Sequence, residues 1–232
     1  MFGLGKLFGR KRQLTQAQQV RLEAWRALPN TGLKLPWEES RFVVVDVETS
    51  GLNLTRDRLI AIGAVAVQHG KLVLSDSFET VLQQEVVSSK ANILIHGITA
   101  SAQSNGQDPA DALLDFLEYV GKSPLVAFHV TFDQTMLTRA IRHYLGFTFQ
   151  HDWLDLAYVA PGLHPAQKFR SLDDWQNFFG LHNHARHNAL ADAVITAQLL
   201  VILMNVASRQ ALLNYAALQS VEKNQRWVSW QG

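Results

Sequence analysis

The hydrophobic pattern changes period several times along the chain, and each change marks an element. Residues 15 to 28 place Ala17, Val20, Ala24, Trp25 and Leu28 at helical spacing before Pro29-Asn30-Thr31-Gly32 stops the run. After Pro36 the pattern becomes a β-branched apolar run, Phe42-Val43-Val44-Val45-Asp46-Val47, as expected of a short strand covered on both faces. Its C-terminal end turns abruptly polar. Residues 58 to 68 and 71 to 80 read as two more strands joined across His69-Gly70, a hairpin signal that makes this part of the sheet antiparallel. Asp108-Pro109 opens a helix through Tyr119, Leu125 to Phe128 form a further short strand, and residues 132 to 145 return to helical spacing. Ser171 and Asp174 have capping-box spacing for a helix ending near Gly180, and a long helix covers roughly Ala189 to Val206. A last helix is expected from about Ala207 to Val221, with Trp227 and Trp230 beyond it packing back on the domain, or, if exposed, anchoring a partner.

Three early strands followed by helix, strand and helix describe an α/β fold, a mixed sheet with helices packed on it. The expected organisation is an N-terminal helical extension over 1–38 that stands outside the core, one domain over 39–206, and a C-terminal helix and tail over 207–232. A chain of 232 residues, 47% of them apolar, is long enough to bury the core of one such domain. There is no cysteine, so any bound metal must use oxygen or imidazole, and a reducing compartment fits. No secretion-type apolar stretch and no run of ~18 uninterrupted apolar residues is present, so a cytoplasmic protein without stable membrane association is expected. The net charge of +1 does not discriminate among partners. Lys6, Arg10, Lys11 and Arg12, interleaved with Phe2, Leu4, Leu7 and Phe8, read as a solvated tail, with membrane or nucleic-acid contact as the alternative.

The candidate chemistry lies where apolar strands end. Asp46 and Glu48 are two apart, so the period of a strand points both carboxylates to one side. Asp133 follows the strand at Leu125 to Phe128, and Asp192 falls in the first turns of the long helix, so two strand ends and two helix starts can converge on one crevice. Four converging carboxylates repel one another unless cations neutralise them, and ligation by oxygen alone favours Mg²⁺ or Mn²⁺. Two such ions can activate water beside a phosphodiester and stabilise the leaving oxygen. His187 precedes Asp192 by five residues, about 500° of helical rotation, so both can face one site only if His187 stands on the loop before the helix. An imidazole there suits a general base near neutral pH. A second use of histidine, a transition-metal site at His182, His184 and His187, is the weaker reading beside ordinary loop histidines.

The segments Val45-Asp46-Val47-Glu48-Thr49-Ser50-Gly51-Leu52, Thr131-Phe132-Asp133 and His187-Asn188-Ala189-Leu190-Ala191-Asp192 resemble the three exonuclease motifs of the DEDD superfamily. The His-x4-Asp spacing of the third is that of its histidine subclass, which includes the proofreading epsilon subunit of bacterial replicative polymerase, ribonuclease T and oligoribonuclease. His96-Gly97-Ile98-Thr99 is similar to a segment of epsilon-like members. The resemblance runs from about Arg41 to Leu200. It implies a ribonuclease-H-like mixed sheet flanked by helices, two Mg²⁺ or Mn²⁺ ions held by Asp46, Glu48, Asp133 and Asp192, His187 as base, and 3′→5′ hydrolysis releasing nucleoside 5′-monophosphates. It further implies that Thr49, Gly51, Leu52 and His96 line the pocket of the terminal nucleotide, Leu52 wedging against the last bases unless it is ordinary core. His129 stands where the family has asparagine, which bears on contacts to substrate. Expected partners are 3′ ends of nucleic acid, single-stranded and DNA rather than RNA by preference, and a polymerase or other protein. An exoribonuclease and a non-catalytic nucleic-acid or polymerase adaptor are the rival readings.

Overall fold

The computed structural model of the chain describes residues 13–182 and 187–231. Its central strand, β1 (Arg41–Thr49), sends alternate side chains into two separate cores. Val43, Val45 and Val47 join one cluster and Phe42 and Val44 the other, which is why this run is apolar without alternation. β2 (Leu59–Gln68) and β3 (Lys71–Val81) pair antiparallel beside it, turning through His69 and Gly70 with φ of 52° and 71°. Two successive left-handed residues match the twist of a tight hairpin. β4 (Leu125–Ala127) and β5 (Trp153–Asp155) lie on the other side, both parallel to the strand before them, giving the order β3-β2-β1-β4-β5. The C-terminal ends of β1, β4 and β5 therefore share one edge of the sheet.

The first core is closed by α4 (Pro109–Val120) and α5 (Val130–Tyr144), and the second by α6 (Leu156–Leu163), α7 (Leu172–Phe179) and α8 (Ala189–Arg209). α4 opens on Asp108 with proline at its first turn, and α7 on the Ser171–Asp174 capping box. By length and composition α8 would also suit a membrane span, but half of its most apolar window is buried in the protein. Two short helices, Lys90–His96 and Ala100–Ser104, connect β3 to α4.

The first and last helices, set apart from the domain over 39–206 in the sequence reading, both pack on its cores. The N-terminal helix, Gln16–Arg26, buries Leu22 and Trp25 in the first core. Its Arg21 pairs with Asp115 and with Glu118 (2.7 Å) on α4, and Trp25 Nε1 donates to the carbonyl of Gly121 (2.9 Å). Helical spacing showed an apolar stripe, not what it would meet. At the other end α8 runs on to Arg209, Ala211 is left-handed, and the last helix spans Tyr215–Gln231, not Ala207 to Val221. Tyr215 and Leu218 are buried in the second core. Trp227 and Trp230 lie on this helix and are 66% and 89% exposed, so they do not pack back on the domain.

Candidate active site

Asp46 and Glu48 occupy alternate positions of β1 on the face that α8 covers. Asn188 caps α8, its Oδ1 accepting the N–H of Ala191 (2.9 Å), and Asp192 follows in the first turn. The helix can come this near because Gly63 stands opposite Asp46 in the strand register. A Cβ there would fall 2.2 Å from the carbonyl carbon of Ala189. As a result one carboxylate oxygen from each of Asp46, Glu48 and Asp192 lies within 4.8 Å of the other two.

Asp133 arrives from the opposite layer, in the first turn of α5, and is not one of that trio, although its charge is felt by Asp46. Burial, reinforced by Asp133, Asp192 and Glu48, pushes the Asp46 carboxyl well above its ordinary range. Burial and then Asp192 push Glu48 up to about 8. Burial also brings Asp133 to about 8, helped by Asp155 and Glu48 and opposed by N–H bonds from its own backbone and that of Val47. Crowded, desolvated carboxylates of this kind fit a divalent cation held by oxygen ligands.

His187 stands on the loop, outside α8, with φ of 61°, and its N–H donates to Asp192 Oδ2 (2.9 Å). It borders a cleft of about 320 Å³ together with Asp46, Asp192, His129, and Ser171 and Asp173 at the start of α7. His129 caps α5 in the left-handed region, φ 66° and ψ 57°. Asparagine and histidine both tolerate that conformation better than most residues, so the departure from the family motif leaves the turn intact. His182 is exposed and His184 lies outside the described residues, so the three-histidine reading has no described geometry.

The loop after β1 is tied to Asp57, whose carboxylate accepts from Ser50 Oγ (2.9 Å) and the N–H of Asn53 (2.7 Å). Gly51 lies so near that a Cβ would meet Asp57 Oδ2 at 2.6 Å, while Thr49 Oγ1 donates to the Gly51 carbonyl (2.7 Å). Arg139 of α5 holds the loop from outside, donating to the carbonyls of Leu54, Thr55 (2.9 Å) and Asp57 (3.0 Å). Leu52, 86% exposed, is presented on this frame and is not core. His96 is buried at the end of the Lys90–His96 helix, its Nδ1 accepting from the N–H of Ile98 (3.0 Å) and its Nε2 without a protein partner. It does not border the cleft at Asp46. The Asn92 amide of the same helix, which donates to the Ser50 carbonyl, joins that helix to the loop.

Sequence reasoning passed over Asp57, Arg139 and Asp155. Asp155 closes a three-residue strand after Trp153 and Leu154, and an acidic residue directly after apolar ones, as Asp46 is after Val45, was the available signal.

A five-stranded mixed sheet flanked by helices, with acidic residues gathered at the end of its central strand, is a ribonuclease-H-like α/β fold. The chain belongs to the RNase_T exonuclease family, whose match covers residues 43–200. A PolC-type DNA polymerase III of Thermotoga petrophila is 28% identical over 186 residues, 80% of this chain but 13% of the relative, so the chain spans a small part of that polymerase. The DNA polymerase III epsilon subunit of Aquifex aeolicus is 28% identical over 187 residues, 80% of this chain and 91% of the subunit. Among solved structures, exonuclease X bound to 5′-overhanging duplex DNA aligns with TM-score 0.60 at 23% identity, covering 78% of this chain and 99% of that one. E. coli exonuclease I with a dT13 oligonucleotide aligns with TM-score 0.61 at 17% identity, over 74% and 42% of the two chains.

Proposed function

We infer that this chain is a metal-dependent 3′→5′ exonuclease acting on single-stranded DNA ends and releasing nucleoside 5′-monophosphates. The observation that carries the reading is the approach of Asp46, Glu48 and Asp192 to within 4.8 Å of one another, Asp46 and Asp192 lining a cleft that His187 also borders. These three with Asp133 are the proposed ligands of two Mg²⁺ or Mn²⁺ ions, which when bound would activate the attacking water and stabilise the leaving 3′ oxygen. His187 takes the proton of that water, and its loop position, restrained through its N–H to Asp192, leaves the ring free to meet substrate. Leu52 presses on the terminal bases from a loop that Asp57 and Arg139 hold in shape. His129 is the proposed contact to the phosphate, a role supported by its place on the border of the same cleft.

The reading of DNA over RNA is supported by relatives that match most of this chain and are named as a PolC-type DNA polymerase III and a DNA polymerase III epsilon subunit, names that also support a polymerase partner and a cytoplasmic location. Degradation of end-labelled single-stranded DNA, duplex DNA and RNA of one sequence, with Mg²⁺, Mn²⁺ or chelator, tests the reading. Single-stranded DNA degraded fastest, and only with metal, is the expected result. Preference for RNA would make the chain an exoribonuclease, and binding without hydrolysis would make it an adaptor.

A further inference from the structure

The helix that carries Asp133 has no side-chain cap of its own. Its N-cap residue, His129, contributes no side-chain hydrogen bond, and the acceptor comes instead from the neighbouring strand. Asp155, at the end of β5 and 1% exposed, accepts the N–H of His129 at Oδ1 (2.9 Å) and of Val130 at Oδ2 (3.2 Å). One carboxylate thus holds the first N–H groups of α5, a favourable place for negative charge. The same Oδ1 accepts from Ala157 and starts α6 (3.0 Å).

A buried carboxylate needs a counter-charge, and here it comes from far along the chain. Arg226, on the Tyr215–Gln231 helix, donates through Nη2 to Asp155 Oδ2 (3.0 Å) and through Nε to Glu222 Oε1 (2.9 Å). Glu222 Oε2 in turn accepts the backbone N–H of Asp155 (3.3 Å). The guanidinium lies over the ring of Tyr158, 4.0 Å from its centroid, which fixes the fork in one orientation. Residue 226 lies outside the stretch, 43–200, that matches the exonuclease family.

We propose that Arg226 is a positioning residue for the metal site: through Asp155 it sets the first turn of α5, and with it Asp133 and His129, so that the C-terminal helix is part of the catalytic unit. The inference rests on the reading of the four carboxylates as metal ligands. Loss of Arg226 leaves Asp155 as an uncompensated buried charge whose hold on His129 and Val130 weakens, and Asp133, four residues after His129, moves with the turn. Removing a positive charge would by simple attraction tighten cation binding, so weaker binding reports position and not charge.

The test is Mn²⁺ titration by calorimetry on the full chain, beside the Mn²⁺ dependence of hydrolysis, for the unmodified protein, Arg226→Met and Arg226→Lys. Arg226→Met, which acts on Asp133 only through Asp155 and the first turn of α5, is expected to bind Mn²⁺ up to about tenfold more weakly, the low end of the scale for outer-shell partners, and to regain rate at high Mn²⁺. Arg226→Lys keeps the charge but loses the fork, and shifts in the same direction by less. It also serves if Arg226→Met does not fold. Mn²⁺ affinity that is unchanged or tighter in the folded variants overturns the proposal, including the case where only the melting temperature falls. An unmodified protein that binds no Mn²⁺ at all would instead overturn the reading of the site.

Discussion

Gly63 of β2 lies against the backbone of Leu190 so closely that a Cβ would stand 2.1 Å from its nitrogen. Gly63 is the register partner of Asp46, and Leu190 precedes Asp192 by two residues, so this contact sets the distance between two carboxylates on different elements. Gly63→Ala must push the first turn of α8 away from the sheet. Overpacking of this kind costs about 1–3 kcal/mol. Hydrolysis should fall by more than that loss of stability explains, because Asp192 leaves the cluster. Melting temperature and Mn²⁺ affinity measured on one preparation check this, and a variant with ordinary affinity and rate would show that α8 can shift without consequence.

The carboxylate cluster also makes stability depend on pH when metal is removed. Glu48 and Asp133, raised to about 8, still hold protons in the folded protein at pH values where the unfolded chain has lost them. The folded state therefore binds more protons above the ordinary carboxylate range, and stability must fall as pH rises until both groups ionise. His96, His151 and His164, whose values are lowered by desolvation, act in the opposite sense only below the usual histidine range. With excess chelator the melting temperature should drop from about pH 7 to about pH 9, and saturating Mg²⁺ or Mn²⁺ should flatten the curve. A rising curve in chelator, or an equal slope with metal, would contradict the cluster.

The two histidines of the cleft should separate in their effects. His187→Ala is expected to lower the rate by ~10²–10⁴-fold, the scale of general-base catalysis, with a modest fall in melting temperature, because His187 is exposed but alanine is strained at its φ of 61°. His129→Asn should remain active, since asparagine accepts φ of 66° and the cap on α5 comes from Asp155 and not from the imidazole. Comparing kcat/KM for the two decides. An inactive His129→Asn beside a nearly normal His187→Ala would exchange their roles.

Trp25 tests the N-terminal helix as a member of the core. Its ring is buried, meets Phe147 and Phe149 at 5.9 and 6.2 Å between centroids, and lies under Lys122. Trp25→Ala should cost about 3–5 kcal/mol in a denaturant titration. A loss below about 1 kcal/mol would return the helix to the role of an appendage.

Much of this was legible in the sequence, for local reasons. The run Phe42 to Val47 can hardly be anything but a strand between two apolar layers, and the spacing of Asp46 with Glu48 placed both carboxylates on one side of it. The capping box at Ser171 and the hairpin at His69-Gly70 carry their geometry in two to four residues. What was not legible depends on partners distant in the chain. β5 is three residues long, too short to leave a periodic signal, and so Asp155 went unnoticed. The N-terminal helix showed its apolar stripe but not Asp115 and Glu118, some 90 residues away, that fix it through Arg21. The last helix was misplaced because nothing in the composition of residues 207 to 221 announces the left-handed turn at Ala211.

The central claim, that the clustered carboxylates hold metal for removal of nucleotides from a 3′ end, is tested most directly with a 5′-labelled single-stranded DNA in Mg²⁺. The unmodified chain should shorten it one nucleotide at a time and release nucleoside 5′-monophosphates. Asp46→Ala and Asp192→Asn should leave the strand intact while melting at the same or a higher temperature, because each relieves like-charge repulsion. Undiminished shortening by either variant, or by the unmodified chain in excess chelator, would contradict it.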